Sequence, residues 1–130
     1  MIAADTSTWI AFLQGEGGED AELLDKALED RQVLMAPAVL TELLSDPELP
    51  PAVAVSLSEV PLIELTPGYW ERASALRAQV LGQRVNARLG DALIAQSCID
   101  RGVPLITRDR DFRAFTQAAN LDLMIASHKG

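Results

Sequence analysis

The sequence predicts an α/β domain on a mainly parallel sheet of five short strands. Two observations predict it. Short apolar runs alternate with longer segments of helical periodicity, the order that builds βαβ units. The 130 residues, 48% hydrophobic and 23% charged, suit one domain over 1–130 with its own core. No linker, repeat or low-complexity segment divides them.

The elements follow in order. Met1–Ala4 is the first strand, and Asp5-Thr6-Ser7 is a helix start. That helix runs to about Leu13, with Trp9, Ile10 and Leu13 inward. A second spans Glu19–Glu29, where Leu23, Leu24, Ala27 and Leu28 form a stripe and the acids a solvated face. Val33–Met35 is a buried strand. Pro37 suits the first turn of the next helix, which continues to Leu44. Asp46-Pro47 and Pro50-Pro51 break it before a short helix over Ala52–Leu57. Leu62–Leu65 is the third strand, and Pro67-Gly68 turns into a helix over Tyr69–Leu81. Gly90-Asp91 opens a helix apolar on several sides, hence buried, and Gly102 ends it. Pro104–Thr107 and Leu121–Ile125 are the fourth and fifth strands.

Composition excludes several chemistries. The one cysteine, Cys98, rules out an internal disulfide and any multi-cysteine zinc site. The one histidine, His128, leaves Ser-His-Asp and Cys-His catalysis and multi-histidine metal sites without an ordinary place. No run approaches the about 20 apolar residues that span a bilayer. Met1–Asp5 lacks the features of a secretory signal. The expected location is the cytoplasm.

The net charge of −8 is unevenly spread. Residues 1–65 carry 13 acidic and 2 basic side chains, and residues 66–130 carry 6 and 9. The basic residues of the second half are nearly all arginine, suited to bidentate contact with phosphates or carboxylates.

In open α/β sheets ligands bind beyond the carboxyl ends of the strands. Asp5 follows the first strand, and Asp109 and Asp111 follow the fourth. Glu42 sits in the apolar helix PAVLTELL, and Asp91 starts the buried helix. Singly, each has an ordinary reading as a cap, a turn residue or a solvated position. Jointly, carboxylates that converge repel one another and need a cation. With oxygen ligands alone that cation is hard, Mg²⁺ or Mn²⁺, and such sites do phosphoryl chemistry. No Walker A loop, GxGxxG or HExxH competes.

The segments IAADTSTWI, APAVLTELL, GDALIAQSC and PLITRDRDF, in this order over Ile2–Phe112, resemble a PIN domain of the VapC-type ribonuclease toxins of toxin–antitoxin pairs. The resemblance implies a three-layer α/β/α sandwich and a Mg²⁺- or Mn²⁺-dependent endoribonuclease. It matches Asp5, Glu42, Asp91 and Asp109 to the family's four acidic residues and Asp111 to an additional one. Thr107 matches a supporting hydroxyl, and Ser7 the small polar position after the first aspartate. It further implies a homodimer and a cognate VapB-like antitoxin that blocks the acidic groove. Ser45-Asp46 departs mildly from the family, where a glycine is frequent after the Glu42 motif.

In the mechanism so implied, Asp5, Asp91 and Asp109 hold the first metal, directly or through water. Glu42 orients or deprotonates the attacking water or contacts a second metal, and Asp111 helps that second position. Arg72, Arg77, Arg84, Arg88, Arg108 and Arg110 are candidates for the RNA path, because RNA affinity comes from phosphate contacts. Two other readings compete. A non-catalytic PIN-like partner-binding module need not keep every acid. A receiver-type phosphoacceptor domain gathers aspartates around Mg²⁺ but wants a lysine after a late strand, and only Lys26 and Lys129 exist.

Overall fold

A computed structural model describes residues 1–125. His128 and Lys129 lie outside the described residues. The elements run β1 (Ala3–Ala4), α1 (Thr6–Leu13), α2 (Glu19–Glu29), α3 (Pro37–Leu44), α4 (Pro51–Ser58), α5 (Tyr69–Gly82) and α6 (Leu89–Arg101). β2 (Leu105–Thr107), a 3₁₀ turn (Arg110–Phe112), α7 (Arg113–Ala118) and β3 (Leu123–Ile125) follow.

The described sheet has three strands in the order β1-β2-β3, all parallel. Ala3 lies opposite Leu105, and Thr107 opposite Ile125. The expected strands at Val33–Met35 and Leu62–Leu65 shrink to two isolated parallel bridges, Ile2 with Val33 and Met35 with Leu62. Prolines explain the shortfall. Pro37 starts α3 two residues after Met35. Pro61 accepts from the Met35 amide at 2.8 Å but has no N–H to extend the ladder.

The helices mostly form where the periodicity places them. Pro37 opens α3 after an extended Ala36. Gly102, at φ 73°, caps α6 in the left-handed region, and its N–H and that of Val103 both donate to the Cys98 carbonyl. The buried face of α6 includes Ala92, Ile94, Ala95 and Cys98. Burial pushes the Cys98 thiol up to about 12, so it is an inert core residue. The core joins these to Trp9, Leu24, Met35, Val39, Val80, Leu105 and Ile106. Each large side chain so buried contributes about 1.5–3 kcal/mol.

Three expectations change. Trp9 is buried as expected, but Ile10 and Leu13 are 43% and 37% exposed, and Thr8 and Ala11 turn inward in their place. The acids of α2 are not all solvated, because Asp20 is buried and accepts from the Thr8 hydroxyl at 2.8 Å. That bond accounts for the altered face of α1. The 3₁₀ turn and α7 were not expected. Phe112 and Phe115, three residues apart, are both buried and anchor them.

α5 packs on α6, α6 on α3, and α1 on α2, α3 and β2. An Arg72–Asp100 pair, Nη2 to Oδ2 at 2.7 Å, staples α5 to α6. These contacts bring the carboxyl ends of β1 and β2, the start of α6 and one face of α3 together. No helix among the described residues is long and apolar enough to cross a membrane.

Candidate active site

Asp5 is the first residue beyond β1. Its backbone N–H donates to the Ile106 carbonyl at 3.0 Å, which keeps it beside β2. Its side chain caps α1, with Oδ1 accepting from the Thr8 N–H at 3.2 Å and from Ser7 Oγ at 2.6 Å. Oδ2 accepts from Thr107 Oγ1 at 2.8 Å. Asp5 is only 4% exposed. Burial raises its pKa against the lowering effect of these hydrogen bonds, and the charge of Asp109 adds to the rise.

Thr107 ends β2 fully buried. Its hydroxyl donates to Asp5 and accepts from the Asp109 N–H at 2.9 Å, so a single oxygen ties two acidic positions together. Asp109 Oδ1 caps the 3₁₀ turn by accepting from the Asp111 N–H at 2.9 Å. That leaves Oδ2 free to face Arg88.

Asp91 lies in the first turn of α6, where the helix dipole favours a carboxylate. Its pKa is nevertheless pushed up to about 6. Burial is the main cause, and Asp109 and Asp5 add repulsion while Arg88 opposes. Glu42 reaches the cleft from α3. Its Oε1 accepts from Thr6 Oγ1 at 3.1 Å, and it lines up beside Gly90.

Asp5, Glu42, Asp91 and Asp109 thus line one cleft of about 350 Å³, with Ser7, Arg88 and the apolar walls Ile10 and Ile94. Asp111 stands at its edge, 67% exposed. Thr107 lies behind Asp5. Among the described residues, no three acidic, histidine or cysteine side chains form a ready-made metal-holding group. Arg88 stands among the acids instead, with Nε 3.2 Å from Asp91 Oδ2 and Nη2 2.8 Å from Asp109 Oδ2.

The six candidate RNA-path arginines have different fates. Arg72 is held by Asp100, Thr66 and the Pro67 carbonyl, and Arg77 donates to the Ala87 carbonyl at 2.8 Å. Arg108 forks onto Asp20 at 2.8 and 2.7 Å, and its side chain is 17% exposed. The Asp20 carboxyl is held below the usual carboxylate range by hydrogen bonds from Arg108 and Thr8, which overcome the cost of burial. Arg84 and Arg110 are exposed. Sequence reasoning missed the Thr6 support of Glu42 and the Asp20 partner of Arg108. Thr6 stood next to Asp5 in DTST as a signal, whereas nothing local marked Asp20.

Comparison with known proteins places this geometry. The PIN domain family model matches residues 2–117. Nothing in the curated set of proteins matches. Among solved structures, VapBC2 from Rickettsia felis bound to a DNA fragment from its promoter is similar at TM-score 0.74 and 19% identity, covering 96% of this chain and 98% of that one. VapBC-5 from Mycobacterium tuberculosis, of the VapBC family of toxin–antitoxin systems, follows at TM-score 0.69 and 20% identity, covering 95% and 97%. DNA-bound VapBC from Salmonella typhimurium gives TM-score 0.71 and 15% identity, covering 96% and 98%. At these identities the likeness establishes the α/β PIN-like fold.

Proposed function

The chain belongs to the PIN domain family, and on that premise we propose that it is a metal-dependent endoribonuclease acting as the toxin of a toxin–antitoxin pair. One observation carries the reading. Carboxylates from the ends of β1 and β2, from α3 and from α6 line a single cleft, although converging like charges cost stability and a purely structural role would not gather them.

The donor chemistry fits a hard divalent ion. The acids offered to the cleft are all oxygen ligands, and proton affinity is raised at Asp5 and Asp91 by burial and mutual repulsion. Asp5, Asp91 and Asp109 would hold Mg²⁺ or Mn²⁺. Such an ion supplies an activated water and neutralises charge on the phosphate oxygens. The chain's own residues do the rest. Thr107 sets the spacing of Asp5 and Asp109, and Ser7 fixes the Asp5 carboxylate. Glu42, held by Thr6, orients the attacking water or takes its proton. Asp111 assists at the edge. Attack in line at phosphorus leaves a 3′-hydroxyl and a 5′-phosphate.

Of the six candidates, Arg72, Arg77 and Arg108 are held on internal partners and Arg88 on the cleft acids, which leaves Arg84 and Arg110 for RNA phosphates. A homodimer, a VapB-like antitoxin and a cytoplasmic setting complete the reading. It is supported by the VapBC complexes that share the fold. The test is cleavage of total cellular RNA by antitoxin-free protein with Mg²⁺ or Mn²⁺, beside an EDTA control and Asp91→Asn. Metal-dependent cutting lost in the variant supports the proposal. Cutting that survives EDTA, or that persists in Asp91→Asn, refutes the site as drawn.

A further inference from the structure

Arg88 differs from every other paired arginine of the described chain. Arg72 has a backbone carbonyl among its acceptors, and Arg108 rests on a carboxylate that is itself fully buried. Arg88 donates only to the cleft acids, Asp91 and Asp109, with Asp111 Oδ2 3.7 Å away. Its side chain is 59% exposed, so packing does not hold it there. It is the residue just before α6, with extended backbone, so its stem leaves the helix start freely.

We propose that Arg88 is a resident counter-cation of the cleft, which a divalent ion must displace in order to load. This rests on the metal-dependent reading above. The guanidinium occupies carboxylate oxygens on Asp91 and Asp109 that an incoming ion would need. It spreads one charge over a planar fork, whereas Mg²⁺ places two charges at about 2.1 Å from its ligand oxygens. The ion therefore wins when its concentration suffices, and Arg88 sets the concentration that suffices. The two compete for the same oxygens, so whatever strengthens the arginine's hold weakens the ion's apparent hold.

The test compares wild type with Arg88→Gln in two ways, neither of them activity. Calorimetric titration with Mn²⁺ reads affinity. Because the arginine is largely exposed, the expected gain on its removal is modest, about three- to tenfold tighter binding. In parallel, the arginine Nε–H resonances of ¹⁵N-labelled wild type are followed during Mg²⁺ titration, with the Arg88 signal identified by its loss in the variant. The Arg88 signal should move as the ion saturates, while those of Arg72 and Arg108 stay. An unmoved Arg88 signal at saturation, or equal Mn²⁺ affinity in both proteins, overturns the displacement but leaves the metal site intact. Absence of Mn²⁺ binding in both proteins overturns the displacement and the metal-dependent reading together.

Discussion

Replacing Asp91 by asparagine should make the metal-free protein more stable at neutral pH while abolishing its cleavage of RNA. The carboxyl pKa rises from 3.8 to about 6 on folding. Between those values the folded chain binds a proton that the unfolded chain has released, so wild-type stability falls as pH rises through that window. At about 1.4 kcal/mol per pH unit the full penalty is about 3 kcal/mol. Asparagine keeps the shape and carries no charge. The opposing contact with Arg88 at 3.2 Å is already included in that shift, and solvent screening at the open cleft reduces the penalty. The net gain is about 1–2 kcal/mol at pH 7.5. The assay is urea unfolding in EDTA at pH 4.5 and 7.5, followed by tryptophan fluorescence, in which Trp9 is buried. The difference should be largest at pH 7.5 and shrink to about a third of that at pH 4.5. A variant no more stable than wild type at pH 7.5, or a gap of equal size at both pH values, would refute the electrostatic reasoning.

Further outcomes follow from other contacts. Thr107→Val removes the hydroxyl shared by Asp5 and Asp109. It should cost about 1–3 kcal/mol in thermal unfolding, and Thr107→Ser should restore both stability and cleavage. Arg108→Met strands the buried Asp20 carboxylate and should destabilise by about 3 kcal/mol at pH 7. Because the Asp20 pKa is lowered on folding, its favourable contribution is present above pH 3.8 and fades as pH falls below it, so the gap between variant and wild type should narrow in acid. Gly18→Ala forces a side chain at φ 137° to within 2.9 Å of Asp20 Oδ1 and 3.1 Å of Arg108 Nη2, and circular-dichroism melting should show it less stable than wild type. Mg²⁺ at 100 times its dissociation constant should raise stability by about 2.7 kcal/mol in wild type and little in Asp91→Asn, read as a shift in Tm.

The order of elements was legible because apolar period and proline or glycine punctuation agree along most of the chain. The width of the sheet was not. Val33–Met35 and Leu62–Leu65 have strand composition, but the number of bonds they make depends on Pro37 and Pro61 beside their neighbours. The four acids of the cleft stood out because each ends a strand, opens a buried helix or interrupts an apolar one. The arginines did not sort themselves, since a long side chain's partner is chosen by tertiary distance. Arg108 meets Asp20 across 88 positions of sequence, and the same carboxylate accepts from Thr8 on the buried face of α1.

The sheet pairing has a consequence for how such a protein is made. β1 ends at Ala4, yet its only ladder partner among the described strands begins at Leu105. During synthesis Ile2 can bridge Val33 early, but Ala3 and Ala4 wait about a hundred residues for their ladder partner, and closing so long a loop is slow. Asp5 then cannot meet Thr107 or Asp109 while translation is still under way. A nascent or truncated chain carries the acids but no cleft. The cleft is thus withheld by the chain's own topology until the segment that carries Thr107 and Asp109 has been made.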